Sequence, residues 1–170
     1  MSLLDLAAIG VSIAACVFDL KWRRIPNVLT FGATVAGFVV ALLTGGSTAF
    51  GSSVAGWAVG LVLFLPMYGL GGMGAGDVKL LATIGAWLGP LGAFHAALYT
   101  AIAGAVLATI IMCARGCVRQ TVTNIHMLLL HWRVAGFSAP AQLTLEGSTS
   151  PKLAYALPML IGTVVAIWNR

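Results

Sequence analysis

The chain has 170 residues, of which 60% are hydrophobic and 8% charged, with a formal net charge of +5. Mean hydropathy is +1.02. So little charge cannot cover the surface of a soluble domain of this size. The positive balance is no nucleic-acid signature either, because no basic face is interleaved with exposed aromatics.

The apolar runs set the fold class. Residues 3–18 are apolar apart from Asp5 and Ser12. Further runs cover 28–43, 50–70, 78–88, 93–114 and 153–168. A hydrocarbon core of about 30 Å needs roughly 20 residues of helix, and most runs reach that with their weakly polar flanks. The expectation is an all-α polytopic membrane protein of about six transmembrane helices. The fourth is the shortest, with room to extend back into a glycine loop or forward past Pro90. Residues 1–170 read as a single membrane-embedded domain, without a soluble unit or an internal repeat. The start of the chain does not read as a signal peptide, since its basic cluster follows the apolar run instead of preceding it. Asp5, near the outer end of the first run, reads as solvated.

The longest connection, 116–151, has two parts. Val118, Val122, Ile125, Leu129 and Trp132 recur at helical spacing. Arg119, His126 and Arg133 share another face. That pattern predicts an amphipathic helix on the membrane surface. Residues 137–150 are rich in Ser, Pro, Gly and Thr and read as a flexible loop.

Charge orients the spans. Lys21, Arg23 and Arg24 follow the first span, Lys79 follows the third, and Arg115, Arg119, Arg133 and Lys152 lie between the fifth and sixth. In an alternating six-span chain these loops fall on one side. The positive-inside rule makes that side cytoplasmic and puts both termini outside.

Asp19 then lies at the cytoplasmic end of span one, and Asp77 at the cytoplasmic end of span four. An acidic residue in a membrane segment is costly and functional by default. Two of them returning to one face form a candidate acid–base pair. Asp77 closes the run Gly74-Ala75-Gly76-Asp77, where glycine permits positive φ and the close approach of another chain. Two carboxyls in one site hold a proton between them. One can then take a proton from water while the other hydrogen-bonds a scissile carbonyl. No metal or cofactor is expected. Cys16, Cys113 and Cys117 form no Cys-x-x-Cys pair and have no nearby histidine set.

Taken singly, each aspartate has a plainer reading. Asp19 could pair with Arg23 one turn on, and Asp77 could cap a helix. Lys79 could tune Asp77, touch substrate, or anchor topology. Shared sidedness and the glycines favour the catalytic pair.

The stretch Asp19-Leu20-Lys21-Trp22-Arg23-Arg24-Ile25-Pro26-Asn27 resembles the first aspartate segment of type IV prepilin peptidases. Gly74-Ala75-Gly76-Asp77-Val78-Lys79-Leu80-Leu81 resembles their second. These are GxGD-type aspartic proteases of the bacterial cytoplasmic membrane. The resemblance implies catalytic Asp19 and Asp77, with Gly74, Gly76 and Lys79 supporting the motif or the substrate. It implies removal of a basic leader from a prepilin or pseudopilin at the cytoplasmic face. The segment from Lys152 to Pro158 is similar, more loosely, to the entry of the family's last helix, and no role is carried onto it. Without paired Cys-x-x-Cys motifs the chain looks like the short form found with tight-adherence (Flp) systems, so cleavage without methylation is expected. Two alternatives belong to other classes. One is a small transporter or channel with Asp77 at a broken helix. The other is a non-catalytic scaffold of a pilus or secretion complex.

Overall fold

The computed structural model describes residues 1–135 and 154–169. These form five α-helices, with no strand among the described residues. The expected flexible loop 137–150, together with Lys152 and Arg170, lies outside them.

Helix α1 spans Leu3–Trp22. Its start is fixed by a reciprocal cap. The Asp5 N–H donates to Ser2 Oγ at 3.2 Å, and the Ser2 N–H donates to Asp5 Oδ2 at 2.7 Å. Asp5 is therefore a helix-capping residue as well as a solvated one. The helix ends where Arg23 turns left-handed (φ 53°) and its N–H donates to the Asp19 carbonyl at 2.9 Å.

Helix α2 spans Asn27–Gly69 and α3 spans Ala75–Ala114, each broken by one glycine. Gly46 (φ 63°) divides α2, and Gly89 (φ 72°) divides α3. Both breaks are chain reversals. The rings of Phe38 and Phe50 lie 5.8 Å apart, whereas twelve residues of straight helix cover about 18 Å. Likewise a Cβ built on Gly85 would stand 3.1 Å from that of Ala93. The expected loops around 44–49 and 89–92 are thus single-residue turns, which need the positive φ that glycine supplies. Pro90 opens the second arm of α3, where its missing N–H costs nothing. The first arm, 75–88, is about 21 Å long at 1.5 Å per residue and is the shortest arm of α2 and α3, as the fourth apolar run predicts.

That short arm is the centre of the bundle. Its Leu80, Leu81 and Ile84 are fully buried. The first arm of α2 runs parallel to it: Asn27 meets Lys79, Thr34 Oγ1 lies 3.0 Å from Thr83 Oγ1, and Gly37 lies against Ala86 and Trp87. The second arm of α2 runs antiparallel. Ser53 Oγ donates to the Ala86 carbonyl, Gly56 lies against the backbone of Gly85 and Gly89, and Gly60 against Leu81 and Ala82. Helix α5, Ala156–Trp168, packs along the second arm of α3, with Gly162 against Thr100 and Ala96. Helix α1 packs on α3 and α5.

The distribution of side chains is that of a membrane bundle. Glycine, alanine, serine and threonine fill the seams, while Leu6, Val17, Val35, Val62 and Ile102 face outward. Small residues let helices approach where lipid gives no hydrophobic drive. Helices α1, α2 and α3 are each long and apolar enough to cross a membrane, and α5 is a shorter apolar helix. Helix α4, Val118–Ala135, touches α3 and leaves Val118, Val122 and Ile125 exposed.

Candidate active site

The topology gives the bundle two distinct ends. Ser2, Asp5, Thr44, Ala49 and Gly89 line a cavity at one of them. At the other, the end of α1, the start of α2 and the start of α3 enclose an open cavity of about 350 Å³. Asp19, Arg23, Arg24, Ile25, Asn27, Gly74, Gly76, Asp77 and Lys79 are among its lining residues. All five residues singled out from sequence therefore share one cavity.

Asp19 projects from the last turn of α1 and is 9% exposed. Its Oδ2 accepts a hydrogen bond from the Ala156 N–H, the first residue of α5, at 3.3 Å. A helix start has N–H groups without partners inside the helix and a positive dipole end, so it steadies a carboxylate. Asp77 stands in the first turn of α3, half-buried. The Gly74 N–H turns back to its carboxyl, and Asp19 is near enough to act on it electrostatically. Asp77 thus stands one turn inside a helix whose N-cap is Gly74, and it lines the same cavity as Asp19.

Of the two properties read from sequence for the motif glycines, positive φ and room for close approach, the structure does not use the first. Gly74 has an ordinary extended backbone (φ −77°, ψ 147°), and Gly76 is helical. Neither is among the positive-φ residues, whereas Gly71, at φ 69°, is. What the motif glycines provide is space. A Cβ on Gly74 would stand 3.2 Å from Asp77 Oδ2, and one on Gly76 would stand 3.2 Å from Ile25 Cβ.

Lys79 donates from Nζ to Asn27 Oδ1 at 2.9 Å, and its ammonium lies 5.3 Å from the centre of the Phe31 ring. This ties the start of α3 to the start of α2 at the rim of the cavity. Asn27 thereby has a positional role.

Sequence reasoning missed the contribution of α5. Tyr155 precedes its first residue, and burial, followed by the charge of Asp77, pushes the phenol's pKa up from its ordinary value. A backbone N–H such as that of Ala156 leaves no trace in residue identity. The available signal was the apolar run restarting at 153, which places a helix N-terminus on the same side as both aspartates. Among the described residues, no three His, Cys, Asp or Glu side chains gather into a metal-holding group.

Residues 6–109 match the model of the type IV leader peptidase family. The matched stretch holds Asp19, Gly74, Gly76, Asp77 and Lys79 and stops short of Tyr155. The chain is 32% identical over 105 residues to the type 4 prepilin-like proteins leader peptide-processing enzyme of Escherichia coli O78:H11, covering 58% of this chain and 39% of that one. It is 35% identical over 119 residues to a prepilin leader peptidase/N-methyltransferase of Xanthomonas campestris, covering 64% and 40%. A protein of the same description from Aeromonas hydrophila is 37% identical over 86 residues, covering 46% and 29%. The matches thus span about two fifths or less of these relatives' lengths. No solved structure matches. With most of its length, including both aspartate motifs, matched by the family model, the chain belongs to the type IV leader peptidase family.

Proposed function

We propose that this chain is an aspartic endopeptidase of the bacterial cytoplasmic membrane that removes the basic leader from a type IV (Flp-like) prepilin or pseudopilin. Asp19 and Asp77 are the catalytic pair. The observation that carries the reading is their joint presence in one cavity, brought there from the end of one helix and the start of another.

The two arms each of α2 and α3, with α1 and α5, make six crossings of the bilayer. The aspartate cavity opens on the cytoplasmic side, where the loop lysines and arginines collect. Helix α4 lies on that surface, with Val118, Val122 and Ile125 in the lipid boundary and Arg119 and His126 toward the headgroups. A prepilin has a basic leader followed by an apolar helix. The helix enters the bilayer while the leader stays in the cytoplasm, and the scissile bond comes to rest level with the aspartates.

One carboxylate takes a proton from water, and the protonated partner donates to the scissile carbonyl. Water adds to the carbonyl carbon and a gem-diol forms. A proton passes to the departing amine as the C–N bond breaks. The Ala156 N–H keeps Asp19 in place through the cycle. The 170 residues contain no Cys-x-x-Cys pair, and the reaction proposed is cleavage without methylation of the new N-terminus.

Co-expression with a candidate prepilin tests the proposal. The expected result is a faster-migrating pilin whose new N-terminus bears no methyl group. A prepilin left full-length beside membrane-inserted enzyme, across a panel of type IV prepilins, contradicts it.

A further inference from the structure

Lys79 belongs to two cavities. One is the aspartate cavity; the other, of about 110 Å³, lies between the two arms of α2 and the first arm of α3. Phe31, Trp57 and Leu61 form the apolar walls of the second, and Thr30, Thr34 and Thr83 contribute the polar part of its lining. Those threonines are occupied with one another and with backbone. Thr34 donates to the Thr30 carbonyl at 2.8 Å, and Thr83 Oγ1 lies 2.8 Å from the Lys79 carbonyl and 3.0 Å from Thr34 Oγ1. With its hydroxyls so engaged, the groove offers an occupant methyl groups and rings. At 110 Å³ it is well below the roughly 300 Å³ of a small-molecule site and is the size of a single side chain.

We propose that this groove is a specificity pocket, taking one apolar side chain of the substrate from the residues just beyond the cut. The inference rests on the peptidase reading of the aspartate cavity. Continuity decides the occupant. A chain lying across Asp19 and Asp77 and continuing into the bilayer passes Lys79, whose stem walls both cavities and whose ammonium is held aside by Asn27 and the Phe31 ring. The next side chain along then meets Phe31, Trp57 and Leu61. Apolar pockets discriminate by size, with one methylene worth about tenfold to 200-fold in rate.

The experiment uses the full chain in lipid nanodiscs. A cleavable prepilin is varied to Ala, Leu and Trp at each of the first few positions after the cut. Wild-type enzyme sets the baseline, and failure to cut any substrate defeats the peptidase reading itself. At one substrate position, Leu61→Trp should lower kcat/KM for the Leu substrate by about tenfold or more relative to the Ala substrate. Phe31→Ala should move the preference at that position toward Trp. Phe31 is 57% exposed, so this second variant remains informative if Leu61→Trp does not fold. Folded variants that cleave every substrate in wild-type ratios would overturn the pocket, and so would a uniform loss across the panel, the pattern of a groove holding only lipid.

Discussion

At the scale of single residues the proposed site depends on two carboxyls and on the space left around them. Asp19→Glu and Asp77→Glu each lengthen a side chain in a positioned pair. A misplacement of about 1 Å costs about a hundredfold, so both should insert normally and cleave at 1% of wild type or less in a timed leader-removal assay. Gly76→Val should also lower cleavage strongly without preventing insertion. Its first added carbon already crowds Ile25, and relief shifts either Ile25, which lines the same cavity, or the first turn of α3, which carries Asp77. Wild-type cleavage by Gly76→Val would show that this contact does not position the aspartate. The aspartates were legible in sequence because each sits beside a recognisable string and the basic residues place both on one side. Of the two properties read for the motif glycines only positive φ goes unused, because a residue that permits positive φ and a residue that leaves room are the same letter. The Ala156 N–H was invisible for a different reason: every non-proline residue has one, and only tertiary structure says which carboxylate it meets.

At the scale of elements, the helices were legible and their joints were not. Apolar runs announced the helical stretches of α1, α2, α3 and α5, and heptad-spaced arginine and histidine announced α4. The turns at Gly46 and Gly89 replaced loops of several residues, since one glycine at positive φ followed by Pro90 or a fresh helical turn reverses the chain. The seam between the second arm of α2 and the first arm of α3 is the tightest in the bundle, with Gly56 packed on the backbone of Gly85 and Gly89. Gly56→Val should destabilise the protein by about 1–3 kcal/mol or more through overpacking, read as a lower unfolding temperature in detergent. Gly51, with nothing within 4 Å of a built Cβ, is the matching control. Gly51→Ala should leave that temperature unchanged or raise it, because alanine is up to about 1 kcal/mol the better helix former. Equal effects of the two substitutions would contradict the packing described.

At the scale of the whole molecule, the account joins a membrane topology to a reaction. The α1–α2 and α2–α3 connections and the N-terminus of α5 meet at the aspartate end, and the Gly89 turn lies at the other. In a background lacking Cys16, Cys113 and Cys117, a cysteine at Ser47 should react with an impermeant reagent only from outside the cell, whereas one at Trp22 should be reachable only from the cytoplasm. Labelling of position 47 from the cytoplasm would invert the topology and remove the site from the side where leaders are presented. The central claim is chemical, and the most direct test is cleavage by purified enzyme in nanodiscs, read by intact mass of the prepilin for wild type, Asp19→Asn and Asp77→Asn. Asparagine keeps size and shape and removes the ionisable group. The account predicts leader loss with wild type and an unchanged prepilin mass with either folded variant. Full cleavage by either asparagine variant would contradict the aspartate pair.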